Sequence, residues 1–157
     1  MTRLLLALLL LLPLPATAAE WNHYTNVRFG YGIDVPPGFV PQGEADNGDG
    51  KVFRTPTATL TVFGGNVTAA DFESEVVQRQ RDAEQDKWAI TYQVSTPQKA
   101  SWSGKRGARI LYARMIALCA GTQFGSFALD YSSADRQTFD AVVDRLVASL
   151  RPAGGSC

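Results

Sequence analysis

Residues 108–118 read Ala108-Arg109-Ile110-Leu111-Tyr112-Ala113-Arg114-Met115-Ile116-Ala117-Leu118. Leu111, Ala113, Met115 and Ala117 line up with Cys119 on one parity, and Ile110, Tyr112, Ile116 and Leu118 share the other with Arg114. Side chains of a strand alternate between the two faces of its sheet. Apolar residues on both parities therefore predict a long strand with cover on each face.

Ala120-Gly121-Thr122 turns the chain into a second strand, Gln123 to Tyr131, in which Gly125 is a candidate bulge. Beyond it Phe139, Val142, Val143, Leu146, Val147 and Leu150 follow the i, i+3, i+4, i+7 spacing of an amphipathic helix. Ser133 or Asp135 can cap that helix and Pro152 can stop it. Burying each of those large side chains is worth roughly 1.5–3 kcal/mol, so this helix is expected to dock on the sheet.

On the N-terminal side, Ser101 to Gly107 reads as a Gly-, Ser- and Lys-rich turn. Ala89 to Ser95 alternates with Ile90, Tyr92 and Val94 to one side. Thr68-Ala69-Ala70-Asp71 has the form of a capping box, opening a helix from about Ala69 to Asp86. Its apolar members (Phe72, Val76, Val77, Ala83) are few. Glu73, Glu75, Asp82, Glu84 and Asp86 are interspersed with Arg79, Arg81 and Lys87, which predicts a solvated face held by i, i+4 pairs. Earlier still, Lys51–Thr55 and Thr59–Phe63 form a hairpin around Pro56, and Gly43–Gly50 is a polar loop. Val27 to Val35 alternates as one strand, ended by Pro36-Pro37-Gly38. Strands in hairpin-linked runs, each run followed by a helix, predict an α+β fold: an antiparallel sheet of about six strands with two helices.

Arg3, the apolar run Leu4–Leu12, Pro13-Leu14-Pro15 and the small residues Ala16-Thr17-Ala18-Ala19 have the layout of a secretory signal peptide. The run is about nine residues against the roughly 20 needed to span a bilayer. Residues 1–19 are therefore expected to be removed near Ala18/Ala19, leaving 20–157 as a single domain in the periplasm or outside the cell. No cysteine stands at the cleavage site to carry a lipid. Lys+Arg and Asp+Glu are both 15 and cancel, which argues against nucleic acid as a partner. With no second long apolar run, no stable membrane insertion is expected. Cys119 and Cys157 are an even pair in an oxidising compartment and so a disulfide candidate; the alternative is a buried Cys119 and a free terminal Cys157.

Residues for chemistry are sparse. His23, the single histidine, sits just past the cleavage site in a segment expected to be mobile. No Gly-x-Ser-x-Gly, Ser-x-x-Lys or Cys-x-x-Cys occurs. No catalytic residue and no cofactor is assigned. Glu44, Asp46 and Asp49 around Asp46-Asn47-Gly48-Asp49-Gly50 are a weak calcium candidate, but Gly48 stands where an oxygen ligand is needed, and Asn-Gly and Asp-Gly are strong turn dipeptides. Lys99, Lys105, Arg106, Arg109 and Arg114 form a candidate anion or partner patch. Arg114, mid-strand, needs a partner, and Asp34 and Asp130 are its candidates. Trp21, Tyr24 and Trp102 are candidate interface aromatics.

The stretch Tyr24-Thr25-Asn26-Val27-Arg28-Phe29-Gly30-Tyr31-Gly32-Ile33-Asp34-Val35-Pro36, the order of elements after it, and the closing helix at Asp135-Arg136-Gln137-Thr138-Phe139 resemble the PsbP-like fold family. The resemblance implies an α-β-α sandwich with helices on both faces of an antiparallel sheet. It implies a binding or assembly module, since that family includes photosynthetic extrinsic subunits, a Ran-binding factor and bacterial envelope proteins, and it brings no catalytic residues. The expectation is a non-enzymatic envelope protein that binds or supports another envelope protein. Alternatives are an inhibitor or immunity protein that inserts the 43–50 loop into a hydrolase, and a hydrolase with carboxylates in a pocket.

Overall fold

The computed structural model describes residues 20–44, 46–155 and 157; the leader expected over 1–19 lies outside them. In chain order the elements are β1 (Asn22–Asn26), β2 (Tyr31–Val35), β3 (Val40–Glu44), β4 (Gly50–Arg54), β5 (Ala58–Asn66), α1 (Phe72–Gln85), β6 (Ala89–Thr96), β7 (Lys99–Arg106), β8 (Arg109–Leu118), β9 (Gln123–Ser132), α2 (Arg136–Ser149) and β10 (Arg151–Pro152). One sheet has the order β3-β4-β5-β9-β8-β7-β6, and a smaller one the order β1-β2-β10; all pairings are antiparallel. The architecture is the expected α+β with two helices, but with more strands than the six read from the sequence.

β8 explains the layering. Its Ala113 and Met115 join Phe72 and Val76 of α1, Trp102 of β7 and Phe124 of β9 in one core. Its Ile116 and Leu118 join Ile33 of β2, Leu60 and Val62 of β5, Leu129 of β9 and Leu146 of α2 in the other. Alternation within one strand thus feeds two apolar layers, with α1 on one face of the large sheet and α2 with the small sheet on the other.

Of the strand expected over 27–35, only 31–35 are strand (β2); residues 27–30 form the turn that joins β1 to it. Gly30 takes φ +64° and Val27 is 88% exposed, while Tyr31, Ile33 and Val35 are buried. Alternation carried past the real turn because Val27 and Phe29 keep the parity of β2. The Gly-Ser-Lys turn expected over 101–107 is instead strand β7, with Ser101 and Trp102 buried; only Gly107, at φ +57°, makes a tight turn into β8. The first two residues of the loop expected over 43–50 belong instead to β3, an edge strand that pairs with β4. Gly125 is no bulge: the ladders of β9 with β5 and with β8 run through it in register.

Helix α1 begins at Asp71, whose carboxylate accepts from the backbone N–H of Ser74 at 2.7 Å; Thr68 lies in the preceding loop. Glu75, expected on a solvated face, is 1% exposed. Its Oε2 accepts from the backbone N–H groups of Thr68 and Ala69 at 3.0 and 3.2 Å and from the Thr68 hydroxyl at 3.1 Å. Its Oε1 accepts from Arg79 Nε and Nη2 at 3.0 and 2.7 Å. Arg79 in turn lies over the rings of Phe63 and Phe124, at 5.9 and 5.3 Å, and so seats α1 on the sheet. At the other end, Asp135 occupies the N-cap position of α2 without a side-chain bond, while Ser132 accepts from Ala134 to cap the short 3-10 turn before it. Pro152 lies two residues past Leu150, in β10, paired with Tyr31. Cys119 and Cys157 are bridged, Cα to Cα 5.2 Å, tying the C-terminus to the β8–β9 connection.

Candidate functional site

Helix α2 packs against β2 and β9, so the same face of the large sheet runs on past it across β8, β7 and β6. Register decides what stands there. Tyr92 pairs with Ser103 and Ser103 with Tyr112; Val94 pairs with Ser101 and Ser101 with Arg114; Thr96 pairs with Lys99 and Lys99 with Ile116. Directly opposed residues share a face, and Tyr112 and Ile116 belong to the layer on the α2 side. Tyr92 (50% exposed) and Val94 (48% exposed) therefore lie on that open wing beside Lys99, Arg114 and, in register with Ala89, Lys105.

The alternation of Ile90, Tyr92 and Val94 does not survive intact. A register shift between Ile90 and Tyr92 puts Ile90 opposite Gly104 and against the α1-side core, and Tyr92 and Val94 on the opposite face. A bulge inserts one residue and reverses the parity beyond it. Alternation alone marks these apolar side chains as ordinary sheet residues, because where α2 stops is set by tertiary packing and not by the chain around them.

The wing is positively charged throughout. From Lys87 to Leu129 the chain holds six basic residues (Lys87, Lys99, Lys105, Arg106, Arg109, Arg114) and no acidic one, inside a chain whose 15 basic and 15 acidic residues cancel overall. Two of the six are answered from outside the run. Arg109 donates to Asp130 at 2.7 Å and to the Thr57 carbonyl at 2.8 Å. Arg106 donates to the Asp86 carbonyl at 3.0 Å and lies 4.3 Å over the Trp88 ring. Among the described residues no carboxylate pairs with Lys87, Lys99, Lys105 or Arg114. Arg114 donates from Nη1 to Ser101 Oγ at 2.9 Å, and its buried Nε has no hydrogen-bond partner among the described residues. Neither carboxylate expected for it is there: Asp130 is taken by Arg109, and Asp34 by His23 and Arg145, each at 3.0 Å. The His23 bond, followed by Arg145 and opposed by burial, holds the Asp34 carboxyl below its usual range. Lys99 sits at the far end of β7 from the Arg106–Arg109 turn, so the basic residues spread along the wing instead of clustering at one hairpin.

Between the wing and α2 lies a recess of about 470 Å³, lined by Thr91, Ser103, Lys105 and Tyr112 on one side and Arg136 and Asp140 on the other. Its charges are mixed. Burial, with Asp140 nearby, pushes the Tyr131 hydroxyl at its floor above the ordinary value. His23 stands in β1 paired with Asp34, outside the recess and not in a mobile segment.

The remaining candidates fall elsewhere. Trp102 is not an exposed aromatic: it is 5% exposed in the α1-side core. Trp21 is half-buried under Arg145, 4.2 Å from its ring, and Tyr24 packs edge-on against Tyr31 and Phe53. Asp49 is engaged by Arg28 at 2.6 Å and by Asn47, while Asn26 donates to the Gly48 carbonyl at 2.8 Å, so the 46–50 segment is a turn pinned to the β1–β2 hairpin. Asp46 is exposed, and no group of three or more His, Cys, Asp or Glu able to hold a metal occurs among the described residues. No helix among them is long and apolar enough to cross a membrane.

No family model and no curated protein matches the sequence. Solved structures do. The PsbP protein (CyanoP) of the cyanobacterium Synechocystis matches 91% of this chain and 98% of its own, with a TM-score of 0.64 at 14% identity. The chain has the PsbP-like fold. The Ran-binding protein Mog1p of Saccharomyces cerevisiae matches 87% of this chain and 97% of its own, with a TM-score of 0.61 at 10% identity. At these identities the likeness is one of fold, and the PsbP-like scaffold leaves function to the surface this chain builds on it.

Proposed function

We propose that the protein is an exported, non-enzymatic accessory protein of the cell envelope that holds an acidic protein partner on the basic wing β6–β8. The observation that carries this reading is the 43-residue run without a carboxylate, folded so that Arg114, Lys99 and Lys105 share an open sheet face with Tyr92 and Val94. Tyr and Arg are enriched at protein interfaces, and Lys and Arg without carboxylate partners give charge complementarity to an acidic surface. The leader-like residues 1–19 and the Cys119–Cys157 bridge support export. One fold neighbour is a Ran-binding protein, which is compatible with a protein partner.

The test is retention of an envelope protein from native extract by the wild type and by Arg114→Glu. The expected result is one acidic partner held by the wild type, released as salt rises, and not held by the variant. Equal retention by both, or retention of nothing, contradicts the proposal.

A further inference from the structure

We propose that β6 accepts an extended acidic segment of the partner as an added edge strand of the large sheet, a deepening that rests on the partner-binding reading above. The sheet has two edges, β3 and β6. β3 is five residues long, contains Pro41 and Glu44, and is broken by a register shift. Proline, charge and irregularity are the devices that blunt an edge. β6 is eight residues, Ala-Ile-Thr-Tyr-Gln-Val-Ser-Thr, without charge or proline. Its single bulge falls before Tyr92, and from Tyr92 to Thr96 the ladder with β7 is continuous. Its outer side pairs with no other strand among the described residues. An unpaired row of backbone N–H and C=O groups is complemented by another extended backbone, with side-chain rows giving specificity.

Charge selects the occupant. Lys99 and Lys105 lie six residues apart on β7 and on the same face, a separation of about 20 Å. They are in register with Thr96 and Ala89, small residues over which a lysine reaches the edge. An added strand would run two strand spacings from β7, about 9–10 Å, a gap that a lysine and a carboxylate side chain bridge together. The complementary segment is therefore extended, with carboxylates six residues apart on one face and small or β-branched residues between them, beside Tyr92 and Val94. A second copy of this chain does not fit, since pairing β6 with β6 sets two basic wings side by side with no acid between them.

The probe is a synthetic ten-residue peptide of alternating Thr and Val, capped at both ends, with Asp at two positions six apart. Two further versions are N-methylated on alternate residues, one on each backbone edge. The peptide is expected to bind, to protect the Tyr92–Thr96 amides from hydrogen exchange, and to tolerate methylation on one edge only. Lys99→Glu with Lys105→Glu should weaken it about five- to tenfold, as two exposed ion pairs imply. No binding up to about 1 mM, no added protection at saturation, or full binding of both methylated peptides overturns strand addition. Should both methylated peptides bind while charge reversal still abolishes binding, the basic wing keeps its partner role and only the strand geometry fails. If neither this peptide nor the native partner responds to charge reversal, both readings fail.

Discussion

The ring of Tyr31 in β2 lies on the backbone of Gly125 in β9, so close that a Cβ on Gly125 would sit 2.8 Å from Tyr31 Cγ. Gly64 of β5, in register with Gly125, would place its own Cβ 2.7 Å from Tyr31 Cε1. Two paired glycines thus make a floor for one aromatic ring, and the small sheet closes on the large one there. The Tyr31 hydroxyl also donates to the Asp49 carbonyl at 3.1 Å, so the same ring holds the 46–50 turn.

Gly125→Ala should therefore destabilise by about 1–3 kcal/mol through overpacking, and Gly64→Ala by a similar amount. Gly43→Ala, where an added Cβ meets nothing within 4 Å, is the control and should stay within about 0.5 kcal/mol of wild type. Urea denaturation followed by tryptophan fluorescence measures all three. Equal stability of Gly125→Ala and the control would refute the close packing.

Glu75 links acid stability to the seating of α1. Burial raises its carboxyl, but the bonds from Thr68, Ala69 and Arg79 outweigh burial and leave it below the ordinary value. A depressed folded-state value means the contribution is complete above the unfolded value, about 4.3, and is lost as pH falls through the folded one. Glu75→Gln should flatten the stability profile below about pH 4.3 relative to wild type. Glu75→Ala should cost about 3 kcal/mol at neutral pH, the low end for breaking a buried pair because Arg79 is partly solvated. An unchanged acid limb in Glu75→Gln would show that the pair does not couple to folding.

The Cys119–Cys157 bridge closes a separation of 38 residues. Chain entropy assigns such a loop about 3–4 kcal/mol. Cys157→Ser should lower the thermal midpoint accordingly, and reductant should lower the wild type to the variant's value. Intact mass after alkylation checks the bridge itself: two modified thiols without reductant would contradict it.

Leu146 is fully buried between α2 and the sheet. Leu146→Ala should cost about 2–5 kcal/mol, and Leu146→Asp should prevent folding. A Leu146→Asp protein that melts at the wild-type temperature would contradict the docking of α2.

The sequence discloses most where periodicity is undisturbed. β8, β9 and α2 were legible because their alternation or 3.6-residue spacing runs unbroken from end to end. β7 was missed because a strand facing a neighbour on each side can carry Ser101, Ser103 and Gly104 when Trp102 and Ala100 fill the core between them. β1 carries no signal of its own in the alternation, and the turn after it reads as the start of β2 because Val27 and Phe29 keep the parity of Tyr31, Ile33 and Val35. On the candidate surface, the basic residues were legible from their spacing. Tyr92 and Val94 were not, since their exposure depends on a one-residue bulge and on where α2 ends, both set by tertiary packing. Trp102 was misplaced for the converse reason: its strand neighbours look polar, yet α1 covers them.

The most direct measurement is photo-cross-linking in living cells from two positions, Tyr92 on the open wing and Arg81 on α1, across the sheet. A single acidic envelope protein attached through position 92, absent from position 81, and lost when Lys99, Lys105 and Arg114 are reversed to Glu, is the predicted result. Cross-links from position 81 but not 92, or cross-links at 92 indifferent to the charge reversal, would contradict the account.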